Sequence, residues 1–270
     1  KSNAYQLTGF TFSIDSSNNY LGIFNGQSPQ ECNIAGHIPA STAYFNCYTL
    51  SDLNLYFKNY DNYLGHSTAH FSRLESLNKL NKNFGVNAQN FFKQWMGNQF
   101  AYVITEPETM DYTQNCYALI ETNGNADVDK ILADFKYKVE SKIGRRDSVS
   151  EIFRGYKLDR IAQVDLIPLV FGDIFQKLKE AHFVRMNNQV IFANSSAALK
   201  NWINQQLAGR SLQANENYKS FAENIATQST IFVYAAPARS TFLYQDNFQA
   251  DFLNWNQAKA ETIQKFHAIA

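Results

Sequence analysis

The sequence predicts an α+β fold in which helices pack on one or more antiparallel sheets. Strand-like runs come in adjacent pairs, helical runs lie between the pairs, and the regular strand-helix alternation typical of a parallel sheet is missing. The 270 residues are 45% hydrophobic and 15% aromatic, which is enough to bury a substantial core in one large domain or two small ones.

The N-terminal third combines strand and helix signals. Residues 1–36 are predicted to form a β-hairpin segment, because "YQLTGFTFSI" and "YLGIFNG" flank the turn-forming "DSSNN". The run "STAYFNCYTL" predicts a strand, and Ser51 and Asp52 after it are typical of a helix start. Apolar residues at helical spacing then predict helices as far as Met96, with a break at Gly85.

The middle of the chain continues with the strand-like runs "QFAYVITE" and "NCYALIET". The spacing of Val128, Leu132 and Phe135 predicts a helix over residues 127–143. We expect "EIFRGYKLDRIA" to form one further strand. The run "LIPLVFGDIFQKL" fits either a strand or a helix, and its periodicity does not separate the two.

The stretch "FVRMNNQVIFANSSAALKNWINQ" gives the most detailed local prediction. Two apolar runs flank Asn187 and Asn188, and asparagine tolerates a positive φ, so residues 183–193 are predicted to form an antiparallel hairpin. One of the polar residues at 194–196 can cap a helix, which we expect to begin within two residues of Ser196.

The three tryptophans each lie on an apolar repeat of helical spacing. Core packing is therefore predicted for Trp95, Trp202 and Trp255, and a sugar-binding platform is the alternative. In the helix after the hairpin, the helical phase buries Trp202 and Ile203 and exposes residues 200–201.

The C-terminal part carries a short helix, the strand-like "STIFVYAA" and a final amphipathic helix. Residues 41–60 and 229–248 align without a gap, with a shared Ser-Thr pair and a shared Leu-Tyr pair. We divide the chain into the 1–36 segment, an α+β unit at 37–228, and residues 229–270 as the start of a second, incomplete repeat unit. Chance similarity is the alternative. A true repeat would predict further chain after residue 270.

The charge balance excludes several classes of partner. Lys plus Arg and Asp plus Glu both number 24, so there is no long-range field to attract nucleic acid. Only 18% of residues are charged, and Asn plus Gln are about as numerous, which suits contacts with sugars or proteins.

No apolar run reaches the length of a membrane span. Because the chain starts with Lys1, we expect that a signal or membrane anchor has been removed upstream.

Neither cysteine nor histidine spacing indicates a metal site. The cysteines Cys32, Cys47 and Cys116 lack a CxxC motif, and for an exported chain a Cys32–Cys47 disulfide competes with buried free thiols. His66 and His70 have the spacing of one helical face, but a serine follows His66 where a zinc protease needs glutamate. We therefore assign no metal ligand.

Two polar clusters have the composition of functional sites. Glu106 and Glu108 lie at a strand end near Asp111, as glycosidase carboxylates often do, although Pro107 between them indicates a solvated turn.

The second cluster, Arg145, Arg146 and Asp147, has the side chains of an anion site, but adjacent arginines in a polar loop are commoner than such a site. No nucleophile elbow and no glycine-rich loop occurs. The sequence therefore assigns no catalytic and no cofactor-binding residue.

Four stretches together resemble a bacterial family of uncharacterised extracytoplasmic proteins that is defined only as a domain of unknown function. They are "HIPASTAYFNCYTLSDLNLYF", "MGNQFAYVITE", "FVRMNNQVIFANSSAALKNWI" and "STIFVYAA", and they span residues 37–236. The shared features are structural positions. The resemblance implies an α+β fold and export with an N-terminal membrane or lipid anchor, and it implies no activity.

These observations favour a non-enzymatic binding or scaffold module of the bacterial envelope, with an envelope protein or a glycan as partner. A hydrolase of envelope polysaccharide that uses Glu106 with Glu108 or Asp111 is the first alternative. A carrier of a small apolar ligand is the second, and it requires a large apolar pocket.

Overall fold

The structure is a computed structural model, and it describes residues 19–66, 68–109, 111–124, 127–144, 150–163, 165–243 and 259. It confirms the α+β class: a large antiparallel sheet lies between two layers of helices. No described helix is both long and apolar enough to cross a membrane.

In the described part of the chain, the main sheet has eight strands, which are β2 (Thr42–Thr49), β3 (Met96–Thr105), β4 (Cys116–Thr122), β5 (Glu151–Phe153), β6 (Tyr156–Ile161), β7 (Ala181–Met186), β8 (Gln189–Ala193) and β10 (Ile231–Ala235). Their order in the sheet is β10-β2-β3-β4-β8-β7-β6-β5, and every neighbouring pair is antiparallel. A small second sheet pairs β1 (Gln30–Glu31) with β9 (Gln228–Ser229).

Helices cover both faces of the main sheet. On the first face lie α1 (Leu53–Gly65), α2 (Thr68–Phe84), α3 (Ala88–Trp95), α4 (Val128–Ile143) and α5 (Leu166–Phe171). On the second face lie α6 (Ser196–Leu207) and α7 (Glu216–Ala222). Alternate residues of a strand therefore enter different cores: in β2, Tyr48 packs on the first face, and Phe45 and Cys47 pack on the second.

The hairpin prediction is confirmed. Strands β7 and β8 pair antiparallel with Met186 opposite Gln189, and Asn187 adopts a φ of 54° in the turn between them. The predicted helix is α6. Ser195 caps its N-terminus, because the Ser195 hydroxyl accepts a hydrogen bond from the backbone N–H of Ala198. Trp202 and Ile203 are buried, as the helical phase requires.

Residues 200 and 201 follow the prediction only in part. Asn201 is exposed, but the Lys200 side chain is one-third exposed, because it is ion-paired with Glu151 and lies over the ring of Phe153. The aliphatic stem of a lysine can cover apolar surface while its charge is satisfied at the rim.

Two local predictions were wrong. Tyr20–Phe24 forms a 3₁₀ turn and not the second strand of a hairpin, because Asn19 caps it by accepting from Gly22 N and because Phe24 stacks on Tyr48. The "EIFRGYKLDRIA" run forms two strands, β5 and β6. Residues Arg154 and Gly155 both have positive φ, as a two-residue hairpin turn of this type requires.

The division of the chain at residue 229 stays a prediction, and the sheet bears on it in one respect. Strand β10 is hydrogen-bonded along its length to β2, so residues 231–235 belong to the same sheet as residues 42–49. Both segments compared as repeats begin with a strand, and the two strands lie side by side in opposite directions. Residues 244–248 and the first 18 residues lie outside the described part, so the duplication stays a prediction.

Candidate functional site

A cleft of about 240 Å³ opens on the first face of the sheet, bounded by β2, α1, α2 and the turn after α5. We call it the tyrosine cleft, because four of the residues around it are tyrosines. Its lining consists of Tyr20, Asn46, Tyr48, Tyr60, Tyr63, Leu64, Arg73, Gly172, Asp173 and Ile174.

Local structure explains why these side chains converge. Asn46 and Tyr48 are two residues apart on β2, so they point to the same face of the sheet. Tyr60 and Leu64 are four residues apart on α1 and lie on one face of that helix. Tyr20 is placed at the rim by the 3₁₀ turn that Asn19 caps.

Hydrogen bonds connect the polar atoms of the tyrosine cleft. The Tyr20 hydroxyl donates to the Tyr48 hydroxyl (3.1 Å), which also accepts from Asn46 Nδ2 (3.3 Å). Asn46 is only 7% exposed, and its Oδ1 has no hydrogen-bond partner in the described part of the chain. A buried amide oxygen without a partner is costly, so it is a place where a ligand that donates a hydrogen bond gains free energy.

The hydroxyls of Tyr20, Tyr48 and Tyr60 are uncharged at physiological pH. Burial raises the pKa of Tyr20, of Tyr48 and of Tyr60 above the ordinary tyrosine value, although Arg73 beside Tyr60 acts in the opposite direction. Each phenol therefore keeps its proton. The cleft offers neutral donors and acceptors to a ligand.

One wall of the cleft is fixed by Arg73. Its Nη1 donates to the Tyr60 hydroxyl (3.1 Å) and to the backbone oxygen of Pro168 in α5 (3.3 Å), and its guanidinium is ion-paired with Asp173. The positive charge of Arg73 and the negative charge of Asp173 at this wall thus compensate each other.

Gly172 allows the turn after α5 to approach this wall. Its backbone lies at φ 107° and ψ 179°, a region used almost only by glycine. A Cβ added there would lie 3.3 Å from the Tyr60 hydroxyl and 3.4 Å from Arg73 Nη1.

We expect Gly172→Ala to lower the free energy of unfolding by about 1–3 kcal/mol, because the backbone must carry that strain. Urea unfolding would measure it. Gly65→Ala is the matched control, because Gly65 ends α1 and a Cβ there meets nothing within 4 Å. Equal effects for the two substitutions would contradict the expectation.

A second, larger cleft of about 520 Å³ lies between α4 and strands β6 and β7, and we call it the charged cleft. It is lined by Asp129, Leu132, Ala133, Gly155, Tyr156, Lys157, Asp159, Phe183, Arg185 and Asn187. Arg185 Nη1 donates to Asp129 (2.7 Å), while Arg185 Nε is buried without a partner among the described residues.

The charges of this cleft are largely bound to each other. Asp159 accepts hydrogen bonds from Lys136, from the Ser150 hydroxyl and from the backbone N–H of Arg160, and Lys157 lies 3.3 Å from its second oxygen. Burial acts to raise the pKa of Asp159, but these hydrogen bonds outweigh it and the pKa is lowered. A carboxylate held ionised in this way is a poor general acid.

The carboxylates expected for a glycosidase do not form such a site. Glu106, Glu108 and Asp111 are exposed, and none of them lines the tyrosine cleft or the charged cleft. Glu106 lies 3.6 Å from Arg239. Asp111 accepts from the backbone and the hydroxyl of Thr113, which lowers its pKa, the opposite of what a catalytic acid needs. The geometry gives the hydrolase alternative no support.

The histidine pair does not share one helix. Gly65 ends α1, His66 lies beyond it with its Nδ1 2.7 Å from the backbone oxygen of Asn62, and α2 begins only at Thr68. The His70 side chain and the Arg145, Arg146 and Asp147 cluster lie outside the described part. Among the described residues, no group of three or more His, Cys, Asp or Glu side chains could hold a metal ion.

The tryptophan prediction is confirmed where it can be checked. Trp95 is fully buried and Trp202 is 1% exposed, with its ring 4.7 Å from that of Tyr117. Trp255 lies outside the described residues.

No known protein family, no curated protein and no solved structure matches this chain. The resemblance stated above therefore stays an expectation.

Sequence reasoning missed the tyrosine cleft. The signal was present as a polar residue, Asn46, between tyrosines on one strand and as Tyr56 and Tyr60 at helical spacing in the next helix. Nothing in the sequence indicated that Arg73 and Gly172 would reach the same place.

Proposed function

We propose that the protein is a non-enzymatic binding module that holds a neutral saccharide in the tyrosine cleft. The observation that carries this proposal is the buried Asn46 amide, whose Nδ2 donates to the Tyr48 hydroxyl and whose Oδ1 lacks a partner among the residues that the structure describes. A sugar hydroxyl or an acetamido N–H can donate to this oxygen.

The rest of the cleft suits the same class of ligand. Aromatic rings have an apolar face and, in tyrosine, a polar tip, which matches a sugar ring with C–H faces and hydroxyl edges. The rings of Tyr60 and Tyr63 stack with centroids 6.5 Å apart, and Tyr20 meets Tyr63 edge to face at 6.2 Å. At about 240 Å³ the cleft is smaller than the usual pocket for a drug-sized molecule, so it fits a single ring.

Charge argues against an anionic ligand. Arg73 is the only cationic side chain that lines the described cleft, and its guanidinium is already bound to Asp173 and to the Tyr60 hydroxyl. An anion would have to compete with the Asp173 carboxylate for it.

We also propose that this binding takes place outside the cytoplasm, in the bacterial envelope, where polysaccharide is abundant. The family resemblance supports this location. The compensated charge of the chain, with 24 basic and 24 acidic residues, supports a neutral glycan over a polyanion as partner.

Titration of the protein with glucose, N-acetylglucosamine and glucuronic acid, followed by NMR, tests the proposal. We expect a neutral sugar to bind and Tyr48→Phe to raise its Kd by about 3- to 10-fold, the worth of one neutral hydrogen bond. Tyr137→Phe is the matched control, because Tyr137 lies on α4 outside the cleft and is 60% exposed.

Three outcomes would contradict the proposal. Binding of glucuronic acid, with no binding of glucose or N-acetylglucosamine, would show that the site selects an anion. An equal loss for Tyr48→Phe and Tyr137→Phe would place the binding elsewhere. Release of reducing ends from a neutral oligosaccharide would show that the protein is an enzyme.

A further inference from the structure

The fold brings together two cysteines that lie 15 positions apart in the sequence, Cys32 and Cys47. Cys47 is fully buried in β2, on the second face of the sheet. Cys32 is half-buried and packs against the same core cluster. The third cysteine, Cys116, is buried on the opposite, first face, where its sulfur accepts a hydrogen bond from the Tyr102 hydroxyl. It therefore takes no part in this pair.

The segment that carries Cys32 is held in place on both sides. Just before it, β1 pairs with β9. Just after it, the backbone N–H of Asn33 donates to Gln99 Oε1 on β3 (3.1 Å). Cys32 is therefore fixed against the second face of the sheet, where Cys47 of β2 belongs to the core cluster on which Cys32 packs.

The two thiols differ in reactivity. A hydrogen bond from the Cys47 thiol lowers the pKa of Cys32 against the effect of burial, and the backbone N–H of Ile34 assists. The same contact and complete burial raise the pKa of Cys47. The more accessible sulfur is thus also the better source of a thiolate, and the buried sulfur lies beside it.

We propose that Cys32 and Cys47 form a redox pair that closes to an intramolecular disulfide when the protein meets a small disulfide such as oxidised glutathione. The proposal is independent of the saccharide site. It fits a chain that works in an oxidising compartment.

The chemistry balances in two exchange steps. The Cys32 thiolate attacks one sulfur of oxidised glutathione, forms a mixed disulfide and releases one glutathione thiolate. The Cys47 sulfur then attacks the Cys32 sulfur, its proton passes to the departing glutathione sulfur, and the second glutathione leaves as a thiol. Two protein thiols are oxidised to one disulfide, and one glutathione disulfide is reduced to two thiols.

Closing this disulfide ties the segment before β2 to the sheet. The closed loop is short, but a cross-link of this length still removes conformational freedom from the unfolded chain. We expect Tm to fall by roughly 5–10 °C when the oxidised protein is reduced.

Mass spectrometry tests the bond directly. The protein is incubated with oxidised glutathione, its remaining thiols are alkylated in denaturant, and it is digested with trypsin. Both cysteines fall in the peptide that ends at Lys58, since no Lys or Arg lies between residues 1 and 58. We expect this peptide to lose two hydrogens and to escape alkylation, while the Cys116 peptide is alkylated.

A lasting glutathione adduct on Cys32, or alkylation of both cysteines, would overturn the proposal. The Cys32→Ala variant is the control for the Tm measurement. It cannot form the disulfide, so its Tm should not change when reductant is added. A reductant effect of the same size in Cys32→Ala would assign the shift to something other than this pair, and would also count against the proposal.

Discussion

Trp202→Ala is expected to lower the free energy of unfolding by about 3–5 kcal/mol, the usual cost of removing a buried tryptophan side chain. Trp202 is 1% exposed in α6 and packs on Tyr117 of β4, so truncation leaves a cavity between the helix and the sheet. Urea unfolding at 25 °C, with the slope of the transition unchanged, would measure the loss.

Leu207→Ala supplies the control for this prediction. Leu207 ends the same helix but is 48% exposed, so its truncation should cost less than about 1 kcal/mol. If Trp202→Ala cost no more than Leu207→Ala, the second-face core would not depend on Trp202, and the sugar-platform alternative for this tryptophan would return.

The parts of the fold that the sequence predicted are those set by local interactions. Asn187 and Asn188 between two apolar runs indicated the β7–β8 hairpin, and the polar residues 194–196 indicated the start of α6, which Ser195 caps. The apolar spacing that predicted a helix over residues 127–143, found as α4, is a third case.

The two errors came from competition between local signals and packing. "YLGIFNG" has the apolar content of a strand, but Asn19 caps a 3₁₀ turn and Phe24 is buried against Tyr48. The run "EIFRGYKLDRIA" predicts one strand, but Arg154 takes a positive φ beside Gly155 and the chain turns there.

The tyrosine cleft could not be predicted, because it is assembled over long distances in the sequence. Tyr20, Asn46, Tyr60, Arg73 and Gly172 come from five separate segments. Their meeting depends on how α1, α2 and α5 stack on β2, which is decided by the first-face core and not by any local motif. Composition indicated a surface suited to sugars, but it could not indicate where.

Lys136→Met is expected to destabilise the protein by about 3 kcal/mol at pH 7, because it removes the buried one of the two cations that contact the Asp159 carboxylate. The side chains of Lys136 and Asp159 are 11% and 6% exposed, and Glu140 lies 3.8 Å from the same ammonium. The Ser150 hydroxyl and the Arg160 N–H remain bound to Asp159, which keeps the effect at the lower end of the range for broken buried pairs.

Lys157→Met is the matched control. Lys157 contacts the same carboxylate at 3.3 Å, but its side chain is 59% exposed, so the ion pair is screened by water and its loss should cost less than about 1 kcal/mol. The two variants remove the same chemical group from the same partner. Their difference reports on the burial of Lys136 and on its second carboxylate neighbour, Glu140.

The pH dependence separates charge from packing in Lys136→Met. The pKa of folded Asp159 is below the unfolded value of about 3.9, so its contribution to stability is present above that pH and is lost as pH falls through the folded pKa. Without Lys136, burial raises the pKa of Asp159. As pH falls, this carboxylate therefore becomes protonated, and loses its unpaired charge, at a higher pH in the variant than in the native protein. We therefore expect the stability gap between the native protein and Lys136→Met to narrow as pH falls from 7 to about 3 in urea titrations. A constant gap would mean that the aliphatic stem of Lys136, and not its charge, stabilises the junction of α4 with β6.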